Sequence, residues 1–380
     1  MNREQFERTF GLVYSPKLTI REACLQASSA LESAGVPEPR SHAELLLMHL
    51  LGMERSALLR DYYDPMPEAR WAAWLELLSR KASGEPLQYI TGEQGFYGLD
   101  FHVQPGVLIP RPETELLVEA VLEAAERLWP VQQRTEDACA DAGTAKQATG
   151  DVRADDVPGQ QATGDACADD ATAKQSTTAD EACPPQPPAQ AAHPLTVLDI
   201  GTGSGAIAVT LAVQRPAWRI CASDLSEDAL AVARVNADRH LVADRVAFTQ
   251  GDLLGPFAQA RPGDVGSGPG AMSGVRADIL VSNPPYIPAG DLAHLEREVR
   301  DYEPRLALDG GEDGLEPYRR ILAQIPALAA PPRIVAFEVG IHQAREVADM
   351  LRRYGFWQEV EIVRDYAGIE RHVIAIAVEH

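Results

Sequence analysis

Asn283-Pro284-Pro285-Tyr286 stands directly after the run Asp278-Ile279-Leu280-Val281-Ser282. That run reads as a buried strand, so the four residues lie where the chain leaves a sheet. In open α/β sheets this edge lines the ligand crevice. The quartet suits the handling of a planar nitrogen. The Asn283 side-chain oxygen and the Pro284 carbonyl can each accept one N–H of an amide or amine. Holding both hydrogens fixes the nitrogen, aims its lone-pair axis, and stabilises the positive charge that develops as it attacks. Each proline fixes φ and removes a competing donor, and Pro284 biases Asn283 to an extended backbone. Tyr286 offers a face on which a planar acceptor packs. Asn-Pro and Pro-Pro also mark ordinary β-turns. The functional reading is preferred because the same sheet carries a nucleoside constellation.

That constellation starts at Asp199-Ile200-Gly201-Thr202-Gly203-Ser204-Gly205, after a first strand Thr196–Ile200 and before a helix. Glycines there let backbone approach a ligand closely. The G-x-G-x-G spacing misses the G-x-G-x-x-G of dinucleotide folds, and the lysine of a phosphate-binding loop is absent. A second strand, Arg219 to Ser223, runs to Asp224, 23 residues after Gly201. An acid at that point can accept both ribose hydroxyls. Asp224 could instead cap the next helix, but Ser226, followed by Glu227 and Asp228, is the better cap. A third strand ends at Gln250-Gly251-Asp252-Leu253. Asp252 can accept from an adenine amino group, and Leu253 can cover the ring. Glycine turn, ribose acid and adenine acid, in this order and each after a strand, form a signature of S-adenosylmethionine-dependent methyltransferases. The sulfonium of such a donor is already activated, so no metal and no covalent nucleophile is expected.

The elements that position these groups are legible by period. From Pro194 onward strands and helices alternate, with further strands at Val246 to Phe248, Ala277 to Val281 and Arg333 to Phe337. Such alternation predicts a doubly wound, mostly parallel α/β sheet. Glu359 to Arg364 and His372 to Val378 predict a closing hairpin. Residues 19–82 read as a small helical domain. Thr19-x-x-Glu22 is a capping-box pattern, and Ser41-x-x-Glu44 predicts the start of a second helix. Pro67 predicts the start of a third, in which Trp71, Trp74, Leu75 and Leu78 share one face. An aromatic ligand box is the alternative there, and helical spacing favours core. Residues 87–109, including Tyr89-Ile90-Thr91-Gly92, read as a β-hairpin joining two domains. Pro112 opens a helix to about 129. The expected division is a helical substrate-recognition domain over 1–86, a β-hairpin linker over 87–111 and a methyltransferase domain over 112–380.

The chain has 380 residues, 45% of them apolar, and a formal charge of −22. Residues 131–193 contain four aligned fourteen-residue blocks, beginning at Gln133, Gln147, Gln161 and Gln175. They hold almost no Leu, Ile, Phe or Trp, which predicts a disordered acidic insertion. Gly263 to Gly274 reads as a second low-complexity loop. The blocks carry four basic residues against eleven acids, so the remainder still bears −15. That sign opposes long nucleic-acid duplexes and suits a basic protein partner. No run of about 20 apolar residues predicts a membrane helix. The polar start, Met1-Asn2-Arg3-Glu4-Gln5, lacks a signal-peptide core. Five cysteines without a CxxC pair suggest neither a disulfide framework nor a zinc site. The expectation is a soluble cytoplasmic protein.

With these motifs in place, the chain resembles the HemK/PrmC family of peptide chain release factor glutamine N5-methyltransferases. The matching segments are Gly84 to Gly92, Phe96 to Leu99, Ile109-Pro110-Arg111-Pro112-Glu113-Thr114-Glu115, Asp199 to Gly205, Asn283 to Ile287, and Glu338-Val339-Gly340 with Gln343. The first three lie outside the cofactor fold and are specific to the family. The resemblance implies a seven-stranded class I methyltransferase sheet, with a helical N-terminal domain joined to it by a β-hairpin. It implies methylation of the glutamine in the Gly-Gly-Gln motif of class 1 release factors. It also implies that Gly201 to Gly205, Asp224, Leu253 and Asn283 hold S-adenosylmethionine, and that Asn283, Pro284, Pro285 and Tyr286 hold the glutamine. The family commonly carries Trp where this chain has Leu253, and the insertion is not part of its pattern. The Asn-Pro-Pro-Tyr element alone leaves open a ribosomal protein glutamine, adenine N6 or guanine N2 as acceptor. A binding module without catalysis is a third reading, disfavoured because such a module needs no amide-positioning loop.

Overall fold

The computed structural model describes residues 3–130, 194–259 and 274–378. The acidic insertion at 131–193 lies outside the described residues, as does the 263–274 stretch apart from Gly274. The N-terminal part folds as helices α1 (Arg3–Phe10), α2 (Ile20–Ser33), α3 (Pro39–Leu51), α4 (Arg55–Arg60) and α5 (Glu68–Ala82). At the start of α2, the Glu22 N–H meets Thr19 Oγ1 at 3.2 Å and the Thr19 N–H meets Glu22 Oε2 at 2.9 Å. This is the predicted capping box. Trp71, Trp74, Leu75 and Leu78 are buried in the core of this helical part, as their spacing requires.

Two local expectations fail. Helix α3 begins at Pro39 instead of after Ser41. Proline is well placed in a first turn, and Glu44 is no cap partner. Glu44 is buried and receives Arg40, Arg55 and Tyr62. Leu87–Thr91 forms a short helix, α6, although its residues favour strands. Pro86 stands at its N-cap, and Leu87 and Ile90 pack into the helical core. Burial therefore overrides strand propensity there. The hairpin starts only afterwards, as β1 (Glu93–Phe96) paired antiparallel with β2 (Leu99–His102).

The remaining elements are α7 (Pro112–Leu128), β3 (Thr196–Ile200), α8 (Ala206–Gln214), β4 (Arg219–Asp224), α9 (Glu227–Arg239) and β5 (Val246–Gln250). They continue as β6 (Ile279–Ser282), α10 (Arg297–Tyr302), α11 (Glu316–Gln324), β7 (Ile334–Glu338), α12 (Ala344–Tyr354), β8 (Glu359–Arg364) and β9 (Glu370–Ile376). The seven-stranded sheet runs β5-β4-β3-β6-β7-β9-β8. Strands β3 to β7 are parallel, and β9 is inserted antiparallel between β7 and β8. Val197, Ile220, Val281 and Ala336 face a core formed with α7 and α8. Leu198, Cys221, Leu280 and Phe337 face the opposite core, formed with α11 and α12. Strand order reverses between β3 and β6, and a sheet of this kind opens its ligand crevice at that point. Among the described residues, no helix is long and apolar enough to cross a membrane.

Candidate active site

The crevice at the C-terminal ends of β3, β4 and β6 is lined by Gly201, Thr202, Gly203, Ser204, Asp224 and Asn283. Asp252, Leu253 and Pro285 line it as well. Its far wall comes from upstream sequence, through Val107, Arg111 and Thr114, and from Leu306 and Ala307. Gly201 and Gly203 hold φ at +72° and +57°, and a Cβ on either would point into open space. Glycine satisfies both needs of this turn, a left-handed backbone and room for a ligand against it. Buried Asp199 braces the turn from below: its Oδ2 accepts from Thr202 Oγ1 at 2.6 Å and from the Ala208 N–H at 3.1 Å. Burial pushes its carboxyl up to about 7. Gly205 lies one step back from the crevice. A Cβ there would come within 3.1 Å of Ala233, so this glycine brings α8 and α9 together.

Asp224 accepts the Gly203 N–H on Oδ2 and the Ser226 N–H on Oδ1, each at 2.9 Å. Ser226 caps α9 through Ala229, as expected. Burial raises the Asp224 carboxyl above its ordinary value, while the N–H groups of Ser226 and Gly203 oppose the rise. Each of its oxygens keeps a lone pair for a ligand in the crevice. Leu253 adopts φ +53° and its carbonyl accepts the Ser223 hydroxyl at 2.9 Å. The Asp252 carboxylate is paired with Arg320. A turn open to backbone contact, a twice-held acid and an apolar wall fit a nucleoside sulfonium, S-adenosylmethionine. Bound there, that group supplies an electrophilic methyl.

Asn283 stands at the end of β6. Its Nδ2 donates to Thr114 Oγ1 at 3.1 Å, and Thr114 Oγ1 donates to Glu338 Oε2 at 2.6 Å. Thr114 sits in the first turn of α7 and Glu338 ends β7, and both are buried. Burial pushes the Glu338 carboxyl up to about 7, although Thr114 and Arg371 favour its ionised form. Pro284 is buried and Tyr286 half-buried, and the crevice itself is met by Asn283 and Pro285. The loop is clamped from behind: Gln343 Nε2 donates to the Tyr286 carbonyl at 2.9 Å, while Gln343 Oε1 accepts the Gly340 N–H at 2.9 Å. Thr114, Glu338 and Gln343 had no assigned role in the sequence reading. Their signal was present in the family-matching segments, and each lies where a strand ends or a helix begins beside the crevice.

Residues 22–92 match the family description "PrmC N-terminal domain", and residues 193–280 match "Methyltransferase domain". The chain is 35% identical to the release factor glutamine methyltransferase of Moorella thermoacetica, over 94% of this chain and 98% of the relative. The protein of the same name from Bacillus subtilis is 35% identical over the same shares. That from Chlorobaculum tepidum is 36% identical over 90% of this chain and 92% of its own. Identity of this level across nearly both full lengths, on a methyltransferase sheet with the Asn-Pro-Pro-Tyr loop at its crevice, places the chain in the release factor glutamine methyltransferase family.

Proposed function

We propose that the chain transfers the methyl group of S-adenosylmethionine to the side-chain amide nitrogen of the glutamine in the Gly-Gly-Gln motif of class 1 release factors. The observation that carries this reading is the commitment of the Asn283 Nδ2 to Thr114. With its N–H group engaged inward, Asn283 offers its carbonyl oxygen to the crevice. That oxygen and the Pro284 carbonyl each accept one hydrogen of the glutamine amide, and Tyr286 packs against the acceptor. The nitrogen gains the methyl group as the methyl–sulfur bond breaks, which leaves the thioether S-adenosylhomocysteine. It loses one of its two hydrogens as a proton to solvent to become a secondary amide. Asp224 receives the ribose hydroxyls over the Gly201 to Gly205 turn. Leu253 covers the adenine, and Asp252 keeps Oδ1 for its amino group. The helical N-terminal part recognises the release factor, which sets this chemistry in the cytoplasm.

The test is methyl transfer from labelled cofactor to a purified release factor and to its Gly-Gly-Ala variant. Label is expected on the first alone. Equal label on both would overturn the glutamine assignment. Label on ribosomal protein or nucleic acid in place of the release factor would move the reaction to another acceptor.

A further inference from the structure

We propose that Thr114 and Glu338 form a polarity lock on Asn283, in which an ionised Glu338 is required to hold the Asn283 oxygen toward the acceptor. This rests on the reading of Asn283 as the residue that holds the acceptor amide. A carboxylate only accepts hydrogen bonds. Ionised Glu338 therefore takes the Thr114 hydroxyl hydrogen, at 2.6 Å. Thr114 is left with lone pairs alone, and the group 3.1 Å away on Asn283 must then be the N–H side of the amide. These two bonds, with the direct side-chain contact of Asn283 to the Glu338 carboxylate that also favours the ionised form, determine which end of Asn283 faces the crevice. A protonated Glu338 is a donor. It can give its hydrogen to Thr114, which frees the hydroxyl hydrogen for Asn283 Oδ1. The amide then turns round and presents N–H to an acceptor that is itself N–H, which is repulsive.

The surroundings make this switch reachable near neutral pH. Glu338 is 2% exposed, and burial is the main influence raising its carboxyl to about 7. From β9, Arg371 favours the ionised form, and His372 is the register partner of Glu338. Burial holds His372 down to about 4, so it is a neutral neighbour. From α7, Glu113 opposes ionisation. Tyr286 faces the carboxyl from the loop, and Tyr318 from α11 gives its hydroxyl to the Glu338 carbonyl at 2.7 Å. Thr114 and Glu338 are positioning residues, since they act through Asn283.

The experiment is single-turnover methylation of a purified class 1 release factor by the full-length enzyme across pH 5.5–9, with cofactor affinity measured in parallel. The wild-type rate is expected to rise with an apparent midpoint near 7, the value to which burial brings Glu338. Glu338→Gln is expected to remove that limb and slow transfer roughly 10- to 100-fold with cofactor affinity little changed, as for a misoriented catalytic group. Thr114→Val should match that loss, Thr114→Ser should restore most of it, and the Thr114→Val/Glu338→Gln double variant should be no worse than either single one. An unchanged acid limb in Glu338→Gln, or an effect confined to the KM for release factor, overturns the lock. A second readout needs no acceptor. The Asn283 side-chain amide signal in ¹⁵N NMR, assigned with Asn283→Asp, should titrate near the same pH in wild type and not in Glu338→Gln. If wild type labels no release factor yet that signal titrates, the substrate reading fails and the lock stands. If the signal is flat in wild type, the lock fails whatever the substrate.

Discussion

At the scale of single residues, the crevice works through committed hydrogen bonds. One end of the Asn283 amide is already occupied by Thr114, and the proposed role of Asn283 depends on that. Asn283→Ala should lower the transfer rate by roughly 100- to 1000-fold, the usual cost of losing a group that stabilises developing charge. Cofactor affinity should fall far less than the rate, because Asp224 and the glycine turn are untouched when the Asn283 side of the crevice is lost. Isothermal titration with single-turnover rates checks this split, and an unchanged rate would refute the role of Asn283. The buried acid behind it has a separate consequence for stability. The Glu338 carboxyl lies at about 7 in the folded chain against an ordinary value of 4.5. Between those values the folded chain binds a proton that the unfolded chain has lost. The contribution of this group to stability therefore falls as pH rises through that window and is level above it. Glu338→Gln removes the fall, so the variant should gain on wild type between pH 4.5 and 8, by at most on the order of 3 kcal/mol. Denaturant midpoints at the two pH values measure the gain; a constant difference would show that Glu338 is ionised throughout. That Asn283, Asp224 and the glycine turn come together at one crevice was readable because they lie in contiguous motifs at strand ends. Thr114 and Glu338 were not, since a Thr in a first helical turn and a Glu at a strand end each have a local explanation. Their contact spans 224 residues of sequence, and periodicity carries no record of it.

At the scale of elements, the sheet was legible because buried strands separated by helices leave an alternation that few architectures share. Expectations failed where tertiary packing outvoted local preference, at α6 and at the first turn of α3. The joint between hairpin and catalytic sheet was equally invisible. Fully buried Asn236 on α9 makes it. Its Oδ1 accepts the His102 N–H at 2.7 Å, and its Nδ2 donates to the His102 carbonyl at 3.0 Å and to the Ser204 carbonyl at 2.8 Å. One side chain thus ties β2 to the glycine turn. Asn236→Ala removes the partner of the buried Ser204 carbonyl and of the part-buried His102 backbone groups and should cost about 1–3 kcal/mol. Because Ser204 belongs to the turn, cofactor affinity should fall together with the thermal midpoint. A loss of stability with unchanged affinity would mean that the turn holds its shape without this joint.

At the scale of the whole molecule, what needs explaining is how the helical part is linked to a crevice built mainly from the sheet. The segment after the Asn-Pro-Pro-Tyr loop provides the link. Lys81 at the end of α5 is fully buried, and its Nζ meets Glu298 Oε1 on α10 at 2.6 Å. The Tyr302 hydroxyl donates to the Ser83 carbonyl at 3.1 Å, and Glu303 pairs with Arg111. Leu306 and Ala307, a few residues on, line the crevice. A lysine in the last turn of a helix reads from sequence as a solvated end charge, so this link was hidden. It also gives an asymmetric prediction. Replacing both members of a buried ion pair by apolar chains is often close to neutral, whereas removing one leaves the other uncompensated. Glu298, 32% exposed, can be hydrated once Lys81 is gone, but fully buried Lys81 cannot be once Glu298 is gone. Lys81→Met should therefore shift the unfolding midpoint little. Glu298→Ala should destabilise by ~2 kcal/mol, less than the roughly 3–5 kcal/mol of a fully enclosed pair, because the Glu298 side chain is 32% exposed and water screens it. Both substitutions cut the tie between α5 and α10, so both should raise the KM for release factor more than they lower the rate of transfer at saturation. Equal destabilisation by the two would show that the Lys81 charge is compensated elsewhere, through the Glu85 carbonyl that its Nζ also meets at 3.2 Å.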